Sequence, residues 1–110
     1  MNRLNEYRIM WILVFFDLPT ETSIERKTAA RFRKDILLDG FSMFQFSIYL
    51  RHCPSRENTE VHINRIKKCL PPKGHVGILS VTDKQFGMME IFYGKKVSDH
   101  PLPAHQLELF

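Results

Sequence analysis

Hydrophobic and polar positions divide the chain into blocks of two periodicities. Residues 9–16 are apolar without interruption and rich in aromatic and β-branched side chains. A run this short, closed by Asp17-Leu18-Pro19, predicts a central strand buried on both faces. Asp17 is the first polar residue at its carboxyl end, and Pro19 has no N–H with which to extend the ladder. Residues 22–38 change to helical spacing. Thr22 and Glu25 stand at capping-box separation, and Ala29, Phe32 and Ile36 form an apolar stripe that Leu37 extends. Gly40 marks the stop. Residues 41–53 alternate, with Phe44, Phe46, Ile48 and Leu50 against Gln45, Ser47 and Tyr49. This is one bent strand or two short ones around a bulge.

A second helix is expected over residues 55–70, capped by Ser55 or Asn58. Its stripe is Val61, Ile63, Ile66 and Leu70, and Pro71-Pro72 ends it. Strands are expected at His75–Thr82 and Phe86–Tyr93. The order strand, helix, one or two strands, helix, strand, strand reads as an α+β fold. It is a ferredoxin-like βαββαβ sandwich with an extra C-terminal strand. Residues 1–94 form its single domain, and 95–110 a tail. The tail is polar and rich in proline but ends in Leu107, Leu109 and Phe110, which predicts docking on this chain or on a second copy. The late strand lacks a partner in a four-stranded sheet, so the expectation is a homodimer that covers the edge.

Composition narrows the chemistry. The chain has 110 residues, enough for one core without staples. Lys plus Arg is 16 against 12 Asp plus Glu, a net charge of +4 that leans toward a polyanionic partner. The apolar run is too short for a membrane span of about 18–20 residues, and no small-x-small cleavage site follows it. The expectation is a cytoplasmic protein with no membrane partner. Cys53 and Cys69 do not form a disulfide scaffold and read as reduced thiols. There is no Gly-x-Ser-x-Gly elbow, P-loop or dinucleotide fingerprint. His52, Cys53, His62 and Cys69 lack the spacing of a zinc finger.

Two features remain. Asp17 ends a wholly apolar strand, where a carboxylate is either a turn or cap residue or a functional one. One carboxylate is few for a metal, but a two-fold dimer brings two copies together. The other feature is the first helix. Arg26, Lys27, Arg31, Arg33 and Lys34 place five cations within nine residues and no anion. A solvated face usually mixes signs, whereas phosphate backbones reward such a stripe through counterion release.

With these features in place, the chain resembles the CRISPR-associated endoribonuclease family, the small dimeric subunit of spacer acquisition. The resemblance runs from residue 9 to 94. It rests on the apolar strand, Asp17, the basic helix, Gly40-Phe41 and Gln45-Phe46-Ser47-Ile48-Tyr49. Thr82-Asp83-Lys84-Gln85-Phe86 and Ile91-Phe92-Tyr93-Gly94 resemble its type II branch. The resemblance implies a ferredoxin-like homodimer in which two copies of Asp17 face each other and bind Mg²⁺, a divalent cation, for phosphodiester hydrolysis. It also implies nucleic-acid contacts, with RNA or duplex DNA, from Arg26, Lys27, Arg31, Arg33 and Lys34, and an integrase partner. Phe16 stands where the family often has Tyr, so a hydroxyl is missing before the aspartate. Two other functions fit the residues: a non-catalytic DNA-binding adaptor, and an unrelated ferredoxin-like toxin ribonuclease.

Overall fold

A computed structural model describes residues 8–94 and 96–97. The expected order is present, with β1 (Met10–Asp17), α1 (Ser23–Leu38), β2 (Ser42–Gln45), β3 (Ile48–Cys53), α2 (Arg56–Lys68) and β4 (His75–Thr82). A short α3 (Asp83–Gly87) and a hairpin of two two-residue strands, β5 (Phe92–Tyr93) and β6 (Lys96–Val97), follow. The four-stranded sheet runs β2-β3-β1-β4, and every neighbour is antiparallel. This is the ferredoxin-like arrangement of helices on an antiparallel sheet. The C-terminal tail expected at 95–110 lies outside the described residues, apart from Lys96–Val97.

β1 is central because it has side chains to bury on both faces. Met10, Ile12, Val14 and Phe16 pack under the two long helices with Phe32, Ile36, Tyr49 and Ile66. Trp11 and Leu13 turn the other way, onto Leu50 and Phe86. α1 begins as its sequence requires. Thr22 Oγ1 accepts the Glu25 N–H at 3.0 Å, and Glu25 Oε1 accepts the Thr22 N–H at 3.0 Å. The bonds from the Thr22 region hold the Glu25 carboxyl below its ordinary value. α1 ends in a Schellman turn: Phe41 N–H bonds to Ile36 O, Gly40 N–H bonds to Leu37 O, and Gly40 has a φ of 93°.

Three expectations change, and the choice left open over residues 41–53 is decided. The strand expected at Phe86–Tyr93 survives only at Phe92–Tyr93, because Thr82 and Gln85 form a second capping box that starts α3. Alternation in 86–93 misled because Phe86 and Met89 both pack toward Trp11, which is helix and turn spacing, not strand spacing. Residues 41–53 form two strands. Phe46 and Ser47 make the turn between Gln45 and Ile48, with Ser47 at a φ of 66°. Phe46 therefore leaves the face shared by Phe44 and Leu50 and is 90% exposed at the tip.

The helix stripes also shift. Leu37, Val61 and Leu70 are about half exposed. α2 instead buries Thr59, His62 and Ile66. Two of these are polar, and they are tolerated because both are bonded: Thr59 Oγ1 donates to Ser55 O at 3.0 Å, and His62 Nδ1 meets Asp39 Oδ2 at 2.8 Å.

Candidate functional site

Asp17 is the last residue of β1 and is exposed. By strand alternation it shares the face of Trp11, Leu13 and Phe15, opposite the long helices. α3 covers only one end of that face, where Phe86 stacks on Trp11 with centroids 4.2 Å apart. Among the described residues, no helix covers the other end. Phe15 is 38% and Leu79 49% exposed, and Ile48 and Gly77 are the cross-strand partners of Phe15. Asp17 therefore closes the uncovered, apolar end of a sheet face. Its register partner on β4 is His75, also exposed.

The backbone at Asp17 is held closely from below. Gly74 has a φ of 90°, and a Cβ there would lie 2.6 Å from the Asp17 carbonyl oxygen and 3.0 Å from Leu18 Cδ2. Only glycine fits this approach. Asp17 is not a helix cap, since Thr22 fills that role. Among the described residues the Asp17 carboxylate has neither hydrogen bond nor ion pair.

The basic residues occupy another surface. Lys27, Arg31 and Lys34 lie on the side of α1 away from buried Ala29, Phe32 and Ile36, and are exposed. They point outward from the helix layer, whereas Asp17 belongs to the opposite sheet face. Arg33 is half-buried at the flank. Arg26 anchors the β1–α1 loop, with Nη1 donating to Thr20 O and Glu21 O at 3.0 Å each. The fold thus groups Lys27, Arg31 and Lys34 on one helix face, on the other side of the sheet from the face that carries Asp17.

A model of the family described as CRISPR associated protein Cas2 matches residues 10–89. The chain belongs to the Cas2 family. A relative from Flavobacterium psychrophilum, named CRISPR-associated endoribonuclease Cas2, is 66% identical over 108 residues, covering 98% of this chain and 94% of the relative. Proteins of the same name from Parvibaculum lavamentivorans and Paracidovorax avenae are 50% and 40% identical. They cover 92% and 97% of this chain, and 100% and 99% of their own lengths. The match over nearly the whole chain bears out the resemblance read from the strand, aspartate and basic helix.

Within this Cas2 chain, Phe16 packs edge-on against Phe32 at 5.3 Å and lies near Tyr49 on the helix-covered face. A hydroxyl at that position would enter the core side, away from the face of Asp17. Burial pushes both the Cys53 and Cys69 thiols up from their ordinary value, so both stay protonated near neutral pH and neither is an activated nucleophile.

Sequence reasoning missed a polar cluster. Asp39, just past α1, takes His62 on Oδ2 and Arg65 Nη1 on Oδ1, each at 2.8 Å, while Arg51 Nε donates to Asp39 O at 2.7 Å. It ties the end of α1 to α2 and β3. The only sequence signal was the helical spacing of His62 and Arg65, which puts both on one face. His75 was also missed, because only strand register sets it against Asp17.

Proposed function

We propose that this protein is a nuclease of CRISPR spacer acquisition that works as a two-fold dimer in the cytoplasm. It hydrolyses phosphodiester bonds where two open sheet faces meet. The observation that carries this reading is the exposed, unpartnered Asp17 at the uncovered end of an apolar face. Apolar side chains such as Phe15 and Leu79 favour a second copy, and a two-fold operation brings the second Asp17 to the same interface. The relatives' name makes RNA the first substrate to test and duplex DNA the second.

Asp17 fits a divalent cation such as Mg²⁺, which accepts one or two carboxylates with waters and substrate phosphates. Each Asp17 would hold the ion from its own side. Held there, such an ion would supply Lewis-acid chemistry to a phosphate oxygen and a water, and would relieve the repulsion of two facing carboxylates. The chain's own groups do the rest. Gly74 fixes the backbone that carries the carboxylate, and the apolar rim keeps bulk water from the contact.

Leu79→Lys tests the shared site. A charge in the apolar face is expected to convert the dimer to a monomer by analytical ultracentrifugation and to abolish cleavage, with the circular dichroism of the fold unchanged. A wild-type protein that sediments as a monomer at micromolar concentration removes this reading.

A second reading, an architectural adaptor on duplex DNA that joins an integrase partner, is favoured by the placement of Lys27, Arg31 and Lys34. Their outward face holds a backbone without involving Asp17. Arg31→Glu with Lys34→Glu is expected to weaken binding alike for unrelated sequences. It is also expected to lower the slope of log affinity against log salt by about 2. An unchanged slope moves the binding surface elsewhere, with Arg65, Lys67 and Lys68 of α2 the next cations to reverse.

A further inference from the structure

The strand register sets His75 directly across from Asp17. Cross-strand partners share one face, with Cβ atoms about 4.5–5.5 Å apart. Both residues are exposed, and among the described residues neither side chain has a hydrogen bond or ion pair. The next β4 position on that face is Gly77, where a Cβ would meet nothing within 4 Å. The space beside the pair is therefore open.

The other described histidines are already engaged. His52 packs against Trp11 with centroids 5.0 Å apart, and His62 is bonded to Asp39. Among the described residues, no group of three His, Cys, Asp or Glu is gathered for a metal. One chain thus presents a half-site of one carboxylate and one imidazole on adjacent strands. Gly74 holds this corner in place by its close approach to the Asp17 carbonyl.

We propose that His75 is a second donor at the Asp17 cation site. Two half-sites then offer two carboxylates and two imidazoles to one divalent ion. This inference rests on the two-fold reading of Asp17 above. Oxygen donors alone suit magnesium, whereas imidazole raises affinity for later first-row ions. The site therefore ranks a transition-metal ion such as Co²⁺ above Mg²⁺. His75 sets that preference, and Asp17 is needed for either ion.

The test is calorimetric titration of the full-length protein with cobalt chloride and, separately, magnesium chloride, with sedimentation run in parallel. The wild type is expected to bind one Co²⁺ per two chains. His75→Gln is expected to weaken Co²⁺ binding by at least about tenfold and to change Mg²⁺ binding little. Asp17→Asn is expected to weaken both. In ¹⁵N-histidine spectra, Co²⁺ is expected to broaden the His75 ring signals of the wild type and to leave those of Asp17→Asn sharp.

A dimer that loses both ions with Asp17→Asn but keeps full Co²⁺ affinity with His75→Gln overturns the role of His75 and leaves the shared aspartate site standing. A wild type that is monomeric overturns both. A dimer that binds Mg²⁺ but no Co²⁺ overturns the proposed preference alone.

Discussion

Asp17→Asn is expected to lower metal-dependent cleavage by about 10³-fold, the ~4 kcal/mol scale that a Lewis acid supplies to a developing phosphate charge. The fold is expected to survive, because Asp17 is exposed and caps no helix. Asn keeps the shape and removes only the charge. The melting temperature should therefore stay at or slightly above the wild-type value without metal, since two carboxylates facing each other in the proposed dimer would repel. Mixed dimers with one mutant subunit measure the sharing: loss of most activity with one copy replaced shows that both carboxylates act on one ion. Spacer acquisition in cells separates the two readings. Lost cleavage with retained acquisition and retained integrase assembly is the result expected if the architectural role dominates. Loss of acquisition by a folded variant that still assembles makes turnover essential. Wild-type cleavage by Asp17→Asn removes this residue from catalysis.

Gly74→Val is expected to have the largest effect on stability, and to lower activity with it. A residue other than glycine at a φ of 90° costs about 1–3 kcal/mol in backbone strain. A Cβ 2.6 Å from the Asp17 carbonyl oxygen also overlaps backbone that cannot swing aside like a side-chain tip. A domain of this size loses about 4–8 °C for each kcal/mol, so the melting temperature is expected to fall by about 10 °C or more. Any folded fraction carries Asp17 displaced, and cleavage is expected to fall with it. Gly87→Ala is the matched control, since its φ is ordinary and a Cβ meets nothing within 4 Å. Its melting temperature should equal or exceed that of the wild type. A Gly74→Val protein that melts and cleaves like the wild type shows that the corner tolerates movement and that Gly74 does not position Asp17.

Much of the fold was legible because its signals are local. The uninterrupted apolar run can only be a strand with two faces to bury, and β1 follows it to Asp17. Thr22, Glu25 and Gly40 act within one or two turns, so their roles were readable from spacing alone. Errors arose where a short-range pattern was degenerate. Residues 86–93 alternate well enough to mimic a strand, but the Thr82–Gln85 capping box starts a helix first. The helical stripe read for α2 leaves out His62, because a polar side chain is buried only when a partner such as Asp39 awaits it, 23 residues away.

The sequence by itself determined the strand that ends in Asp17, the basic face of α1, the helix caps and, through their order, membership of the Cas2 family. These depend on contacts within a few residues or on the composition of one face. Tertiary structure alone decided which surface each feature serves. Asp17 and the cations are neighbours along the chain, yet strand alternation turns the carboxylate to one side of the sheet and α1 carries the cations to the other. Tertiary structure also decided that His75 stands across from Asp17 and that Gly74 packs on its carbonyl. Both contacts join residues almost sixty positions apart. Register between distant strands is set by the packing of whole faces, which no local periodicity encodes.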